Sequence, residues 1–158
     1  MTANLLAVQV ALDANDLERR RLVLLVASLD DHALVEAVHG RWTVAAKLAH
    51  LAYWDRFALA LLGRWASGEA YATDTLPPFH LDVLNDAQLS EHLALPPREA
   101  ARLAIVAAGE VDAFLHGLPA ETAARLLTDH DAGWLLRRHN PRAEHLLEID
   151  IALGLQGC

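Results

Sequence analysis

A chain of 158 residues fits a single domain spanning 1–158, long enough to bury roughly 68–70% of its unfolded surface without disulfide or metal staples. The formal net charge of −8 leaves no basic surface to displace counterions from phosphates, so nucleic acid is not an expected partner. No apolar run reaches the ~18 residues that a bilayer-spanning helix needs, so no membrane partner is expected either.

Apolar residues make up 54% of the chain, with Leu and Ala dominant and Ile scarce, a composition that favours helices over strands. The first long helix is expected from about Asn15 to Leu29, where Leu22, Leu25, Val26 and Leu29 recur at i, i+3, i+4 and i+7. Arg19-Arg20-Arg21, preceded by Asp16 and Glu18, reads as a solvated face of that helix. Asp30-Asp31 caps a short following turn, and Gly40 ends it. Thr43 has the chemistry of an N-cap for a second long helix reaching about Ala66. On it His50, Trp54, Phe57 and Leu61 define one face, widened by Leu51, Ala58 and Leu62, and Ser67-Gly68 stops it. Gly68 to His80, with Pro77-Pro78, reads as a loop, followed by a shorter helix over about Leu81 to Leu93.

Pro96-Pro97 opens a third long helix, in which Ala100, Leu103, Ala104, Ala107, Val111 and Phe114 keep helical spacing until Gly117 and Pro119. Ala120 to His139 carries little readable pattern. Asn140, followed by Pro141, is expected to cap a last long helix reaching about Leu153. Four long amphipathic helices predict an all-α four-helix bundle, and the sizeable connections permit crossovers. The helices are apolar over more than one stripe, the third especially, which predicts a homodimer.

The lone cysteine, Cys158, excludes an internal disulfide and suits a reducing cytoplasm. The apolar stretch Leu5 to Leu12 has no basic residue before it and so does not read as a signal peptide. Of the nine histidines, His32, His39, His80, His116 and His130 fall in expected turns and read as solvated. His50 and His145 differ, because each sits on an apolar stripe, His50 with Trp54 and Phe57, His145 with Ile149 and Ala152. A buried imidazole needs partners for its nitrogens. A metal supplies one; a backbone carbonyl or a carboxylate supplies another. Glu144, beside His145, reads either as a base or as a solvated first-turn carboxylate favoured by the helix dipole.

The run Arg41-Trp42-Thr43-Val44-Ala45-Ala46-Lys47-Leu48-Ala49-His50-Leu51-Ala52-Tyr53-Trp54-Asp55-Arg56 resembles the second-helix motif of the DinB/YfiT-like metalloenzyme superfamily. Glu144-His145-Leu146-Leu147-Glu148-Ile149 resembles its last-helix motif, and Asn85 and Leu95 to Ala100 lie where such proteins carry similar residues. The resemblance implies a four-helix bundle, often dimeric, and a divalent metal such as zinc or nickel. Its ligands there are one histidine of the second helix and two histidines four apart on the last. It implies His50 as the first ligand and His145 as the last. The activities it implies are transfer or isomerisation with a low-molecular-weight thiol, or hydrolysis, acting on a small molecule. The alternative is a noncatalytic bundle that retains only the scaffold or a small-molecule pocket.

This chain departs from the motif at one point. The middle ligand would fall at position 141, which is Pro141, and proline cannot bind metal, whereas catalytic zinc takes three protein ligands plus water. Candidates for the missing ligand are Glu148, one turn beyond His145, then His139, Asp55 and Asp131.

Overall fold

The computed structural model describes residues 2–69, 78–128 and 132–155. Four long helices, α1 (Thr2–Ser28), α3 (Val44–Ala66), α5 (Pro97–Gly117) and α8 (His139–Ala152), form the bundle. Four further helices, α2 (Asp31–Val35), α4 (Pro78–Ala94), α6 (Ala120–Thr128) and α7 (Gly133–Leu136), decorate it. A small antiparallel hairpin of β1 (Ala37–His39) and β2 (Trp42–Thr43) precedes α3. Gly40 turns that hairpin at φ +52°, a left-handed conformation that costs glycine nothing. Helix α3 packs along α5 and against α8, and α1 packs along α5 and α8. The first and second long helices are therefore diagonal partners, so the chain crosses the bundle end between them, as the sizeable connections permitted.

The local signals behave as their chemistry requires. Thr43 caps α3, its hydroxyl accepting from the Ala46 amide at 3.1 Å, and Asp30 caps α2 through the Ala33 amide at 2.8 Å. Ser67 is the C-cap of α3, and Gly68 follows at φ +92°. Pro97 opens α5 where a helix needs no amide donor.

Three boundaries differ from the sequence reading. Helix α1 begins at Thr2 rather than near Asn15; Val8, Ala11, Leu12 and Asn15 continue its buried stripe, while Leu6 and Val10 face outward and blur it. Helix α4 starts at Pro78, inside the stretch read as a loop; residues 70–77 of that stretch lie outside the described residues, as do His130, Asp131 and Cys158. Helix α8 starts at His139 with Arg138 as its cap and no side-chain cap bond, not at an Asn140 cap. Pro141 is thus the third residue of α8, still in the turn whose amides lack intrahelical partners. No single described helix is long and apolar enough to cross a membrane.

The core falls into two apolar clusters. One gathers Leu22, Leu25, Leu48, Ala104, Leu146 and Ile149; the other gathers Val8, Leu12, Leu62, Val111, Leu126 and Leu136. Distinct from both is a buried polar group centred on Arg142, which is 0% exposed. Its guanidinium grips both oxygens of Asp112 on α5 at 2.8 and 2.9 Å and donates to Asp55 of α3 at 3.1 Å. It also reaches the backbone carbonyl of Asn15 on α1 at 3.4 Å. Arg138 takes the other oxygen of Asp55 at 3.0 Å, and Arg19 approaches Asp112 at 3.3 Å. Burial works against the charge on Arg142, but the two aspartates outweigh it and raise its pKa.

Removing one partner of such a buried set leaves an uncompensated charge. Arg142→Ala is expected to lower stability by about 3–5 kcal/mol in urea denaturation, whereas Arg102→Ala, which breaks an exposed pair with Glu99, should leave it close to that of the wild type. Equal losses in the two variants would show that the Arg142 layer is not a structural keystone.

Candidate functional site

The α3 face that carries His50 is not the deepest one. Leu48, Leu51, Asp55, Ala58 and Leu62 point into the bundle, while Trp54, Phe57 and Leu61 are only part-covered, and Trp54 and Phe57 join Tyr53 in an aromatic wall along its side. His50 lies at the boundary, 6% exposed. Across from it α8 presents His145, and the two imidazoles meet edge to face with centroids 5.0 Å apart. Trp42 of β2 closes one side of His50 at 5.2 Å, and Trp54 the other at 6.2 Å. The hairpin missed in the sequence thus delivers Trp42 to the site.

A third histidine joins from α4. His92, also 6% exposed, has its ring 6.0 Å from that of His50 and 6.1 Å from Trp42. Sequence reasoning missed it. The available signal was the spacing Asn85, Gln88, His92, one face of a helix, and Asn85 indeed accepts from the Trp54 indole at 3.2 Å. One nitrogen of each buried ring, His50 Nδ1 and His92 Nε2, has no hydrogen-bond partner among the described residues.

His145 is held differently. Its Nδ1 lies 2.9 Å from Glu148 Oε2, and the same carboxylate receives the Lys47 ammonium at 2.8 Å. Lys47, the only lysine of the chain, is 5% exposed and sits 5.0 Å over the Trp42 ring, a cation–π position. Burial alone would raise the pKa of Glu148, but the hydrogen bonds from Lys47 and His145 prevail and lower it. An ionised carboxylate only accepts, so the Nδ1–H of His145 is the donor. Of the two non-metal partners weighed for a buried imidazole, His145 therefore has the carboxylate. Glu144 is exposed, in keeping with the solvated reading.

Of the candidates for a third ligand, Asp131 lies outside the described residues, and the other three are engaged elsewhere. Asp55 is consumed by Arg138 and Arg142, and His139 Nδ1 faces Asn15 Oδ1 at 3.0 Å. Glu148 serves Lys47 and His145. Among the described residues no three His, Cys, Asp or Glu side chains form a group able to hold a metal ion. Of the positions the motif names, two histidines are present, His50 and His145, beside a buried ammonium and with Pro141 at the third. It does not fit the three-ligand ion that the motif implies.

An all-helical bundle with crossed connections, carrying paired histidines from its second and last long helices, defines a recognisable class of protein. The DinB superfamily model matches residues 14–147, and the chain belongs to the DinB superfamily. No curated protein and no solved structure matches it.

The buried histidines make the fold acid-sensitive. Burial first, then the charges of His145, His92 and Lys47, lower the pKa of His50 from 6.5 to about 3, against an upward pull from Glu148. Folded His50 therefore stays neutral while the unfolded chain protonates below pH 6.5. Its contribution is intact above that value and is lost as pH falls toward 3, by up to about 1.4 kcal/mol per pH unit. His92, lowered by its own burial, acts in the same direction. Urea denaturation between pH 7.5 and 4.5 should show a steep loss in the wild type and a shallower one in His50→Gln; identical slopes would refute the assignment.

Proposed function

We propose that this DinB-superfamily chain is a small-molecule enzyme of the thiol-transfer or hydrolytic kind, working without a tightly bound zinc or nickel ion and using His145 as general base. The observation that carries this reading is the relay Lys47–Glu148–His145, with separations of 2.8 and 2.9 Å. Glu148 fixes the tautomer of His145 so that Nε2 takes a proton from a thiol or a water, and the same carboxylate stabilises the imidazolium that results. Lys47 holds Glu148 ionised and in place. His50, kept neutral by burial, packs edge to face on His145 and limits its rotation.

Elemental analysis of untagged protein is expected to find zinc and nickel well below one per chain. Pro141→His places an imidazole one turn before His145 and should raise zinc affinity by several kcal/mol in calorimetric titration. Thiol transfer or ester hydrolysis measured in excess chelator should persist in the wild type and fall about 10²–10⁴-fold in His145→Ala. One tightly held zinc or nickel per wild-type chain, lost in both His50→Ala and His145→Ala, would overturn the metal-free reading.

Pairing of two copies is a further part of the proposal, through a different face from the one the sequence suggested. The apolar stripe of α5 is largely consumed in the core, whereas α1 exposes Leu6, Val10, Leu17 and Leu24, and α8 exposes Leu147 and Ile151. The Arg21–Asp150 pair, at 2.6 Å, lies one turn from Leu17, Leu24 and Leu147 and sets the two groups side by side. Val10, Leu17 and Leu24 follow a heptad step, the spacing of a helix seam between partners. Sedimentation at micromolar concentration should give a dimer, and Leu17→Glu with Leu24→Glu a folded monomer; a wild-type monomer would dismiss the pairing.

A further inference from the structure

A cavity of about 340 Å³ opens between α3, α4 and α5, at the lower end of the ~300–1,000 Å³ range of small-molecule sites. Tyr53 and Phe57, their rings stacked at 6.4 Å and 15°, form an aromatic wall, and Leu95 and Leu103 stand among the other lining residues. Two polar groups break this apolar lining. One is His92, buried, with Nε2 lacking a hydrogen-bond partner among the described residues. The other is Arg56, exposed at the cavity and in no ion pair among the described residues. Glu99, whose charge it feels, is gripped by two nitrogens of Arg102 at 2.8 and 2.6 Å.

We infer that this cavity binds a small organic carboxylate with a flat apolar body. An unpaired guanidinium at the mouth favours a carboxylate, which it can take with two parallel hydrogen bonds. The aromatic wall favours a planar body over a branched one through offset stacking. The unpartnered His92 nitrogen favours a ligand that carries a hydrogen-bonding group at its inner end, since a buried imidazole nitrogen left unmet costs free energy. Three imidazoles in sequence, His92 to His50 at 6.0 Å and His50 to His145 at 5.0 Å, connect this cavity to the relay at Glu148. The binding site stands on its own geometry; that its occupant is also the substrate rests on the function proposed above.

The probe is 3-(4-hydroxyphenyl)propionate, with its primary amide as the neutral control, each titrated into the full chain and followed by protein NMR. The carboxylate should bind saturably and shift resonances of Tyr53, Phe57 and Leu103. The amide should bind at least about tenfold more weakly, the loss expected when a charge-assisted bond is removed. Arg56→Gln alters an exposed side chain, so the fold should survive, and it should abolish the preference for the acid. Leu103→Trp should fill the cavity and block both compounds. His145→Ala should bind the carboxylate as the wild type does, so that loss of catalysis and loss of this site are read separately. No saturable binding by the wild type, or equal affinity for acid and amide, or an unchanged preference in Arg56→Gln, would overturn the inference.

Discussion

The guanidinium of Arg142 is the point on which the architecture turns. It stands on the last helix and contacts Asp55 on the second long helix, Asp112 on the third and the Asn15 carbonyl on the first. Four helices with Leu- and Ala-rich faces can slide past one another at little cost, because apolar contacts are non-directional. A planar, fully charged fork satisfied on several sides cannot slide. In such a buried set desolvation offsets much of the attraction. What it supplies is register.

Register matters because the histidine site is built from the same elements. Arg142 precedes His145 by three residues on α8, and Asp55 follows His50 by five on α3. A pair of helices locked at Arg142 and Asp55 has His145 and His50 locked one turn further along, at 5.0 Å. The same lock sets Glu148 within reach of Lys47. The proposed chemistry thus rests on side chains that this layer positions, while α4 and the hairpin, attached at the flank, bring His92 and Trp42.

Much of this was written in short-range chemistry. The Thr43 cap, the Ser67-Gly68 stop and the Pro96-Pro97 start follow from residue type and spacing, and the pairing of His50 with His145 from their apolar stripes together with the family resemblance. The N-terminal half of α1 did not, because Leu6 and Val10 are exposed and Val8 and Leu12 are buried, so apolar residues ring the helix and no single stripe stands out. The hairpin is too short for an alternating pattern, and α6 and α7 are each only two or three turns or less, below the length at which periodicity speaks. Asp55 looked like a spare ligand from its place in the motif, yet its partners Arg138 and Arg142 lie 83 and 87 residues away. His92 was hidden for the same reason. Its helix was legible, but its neighbour on α3 is set by tertiary packing.

Lys47 has a consequence of another kind. It is the only lysine in the chain, and it is buried against Trp42 with its ammonium on Glu148. Reagents that acylate side-chain amines therefore have one target, and they reach it only when that ammonium leaves its carboxylate and the wall of the site swings open. The rate of lysine modification becomes a direct measure of how often the site breathes, in the way that amide exchange reports on local opening.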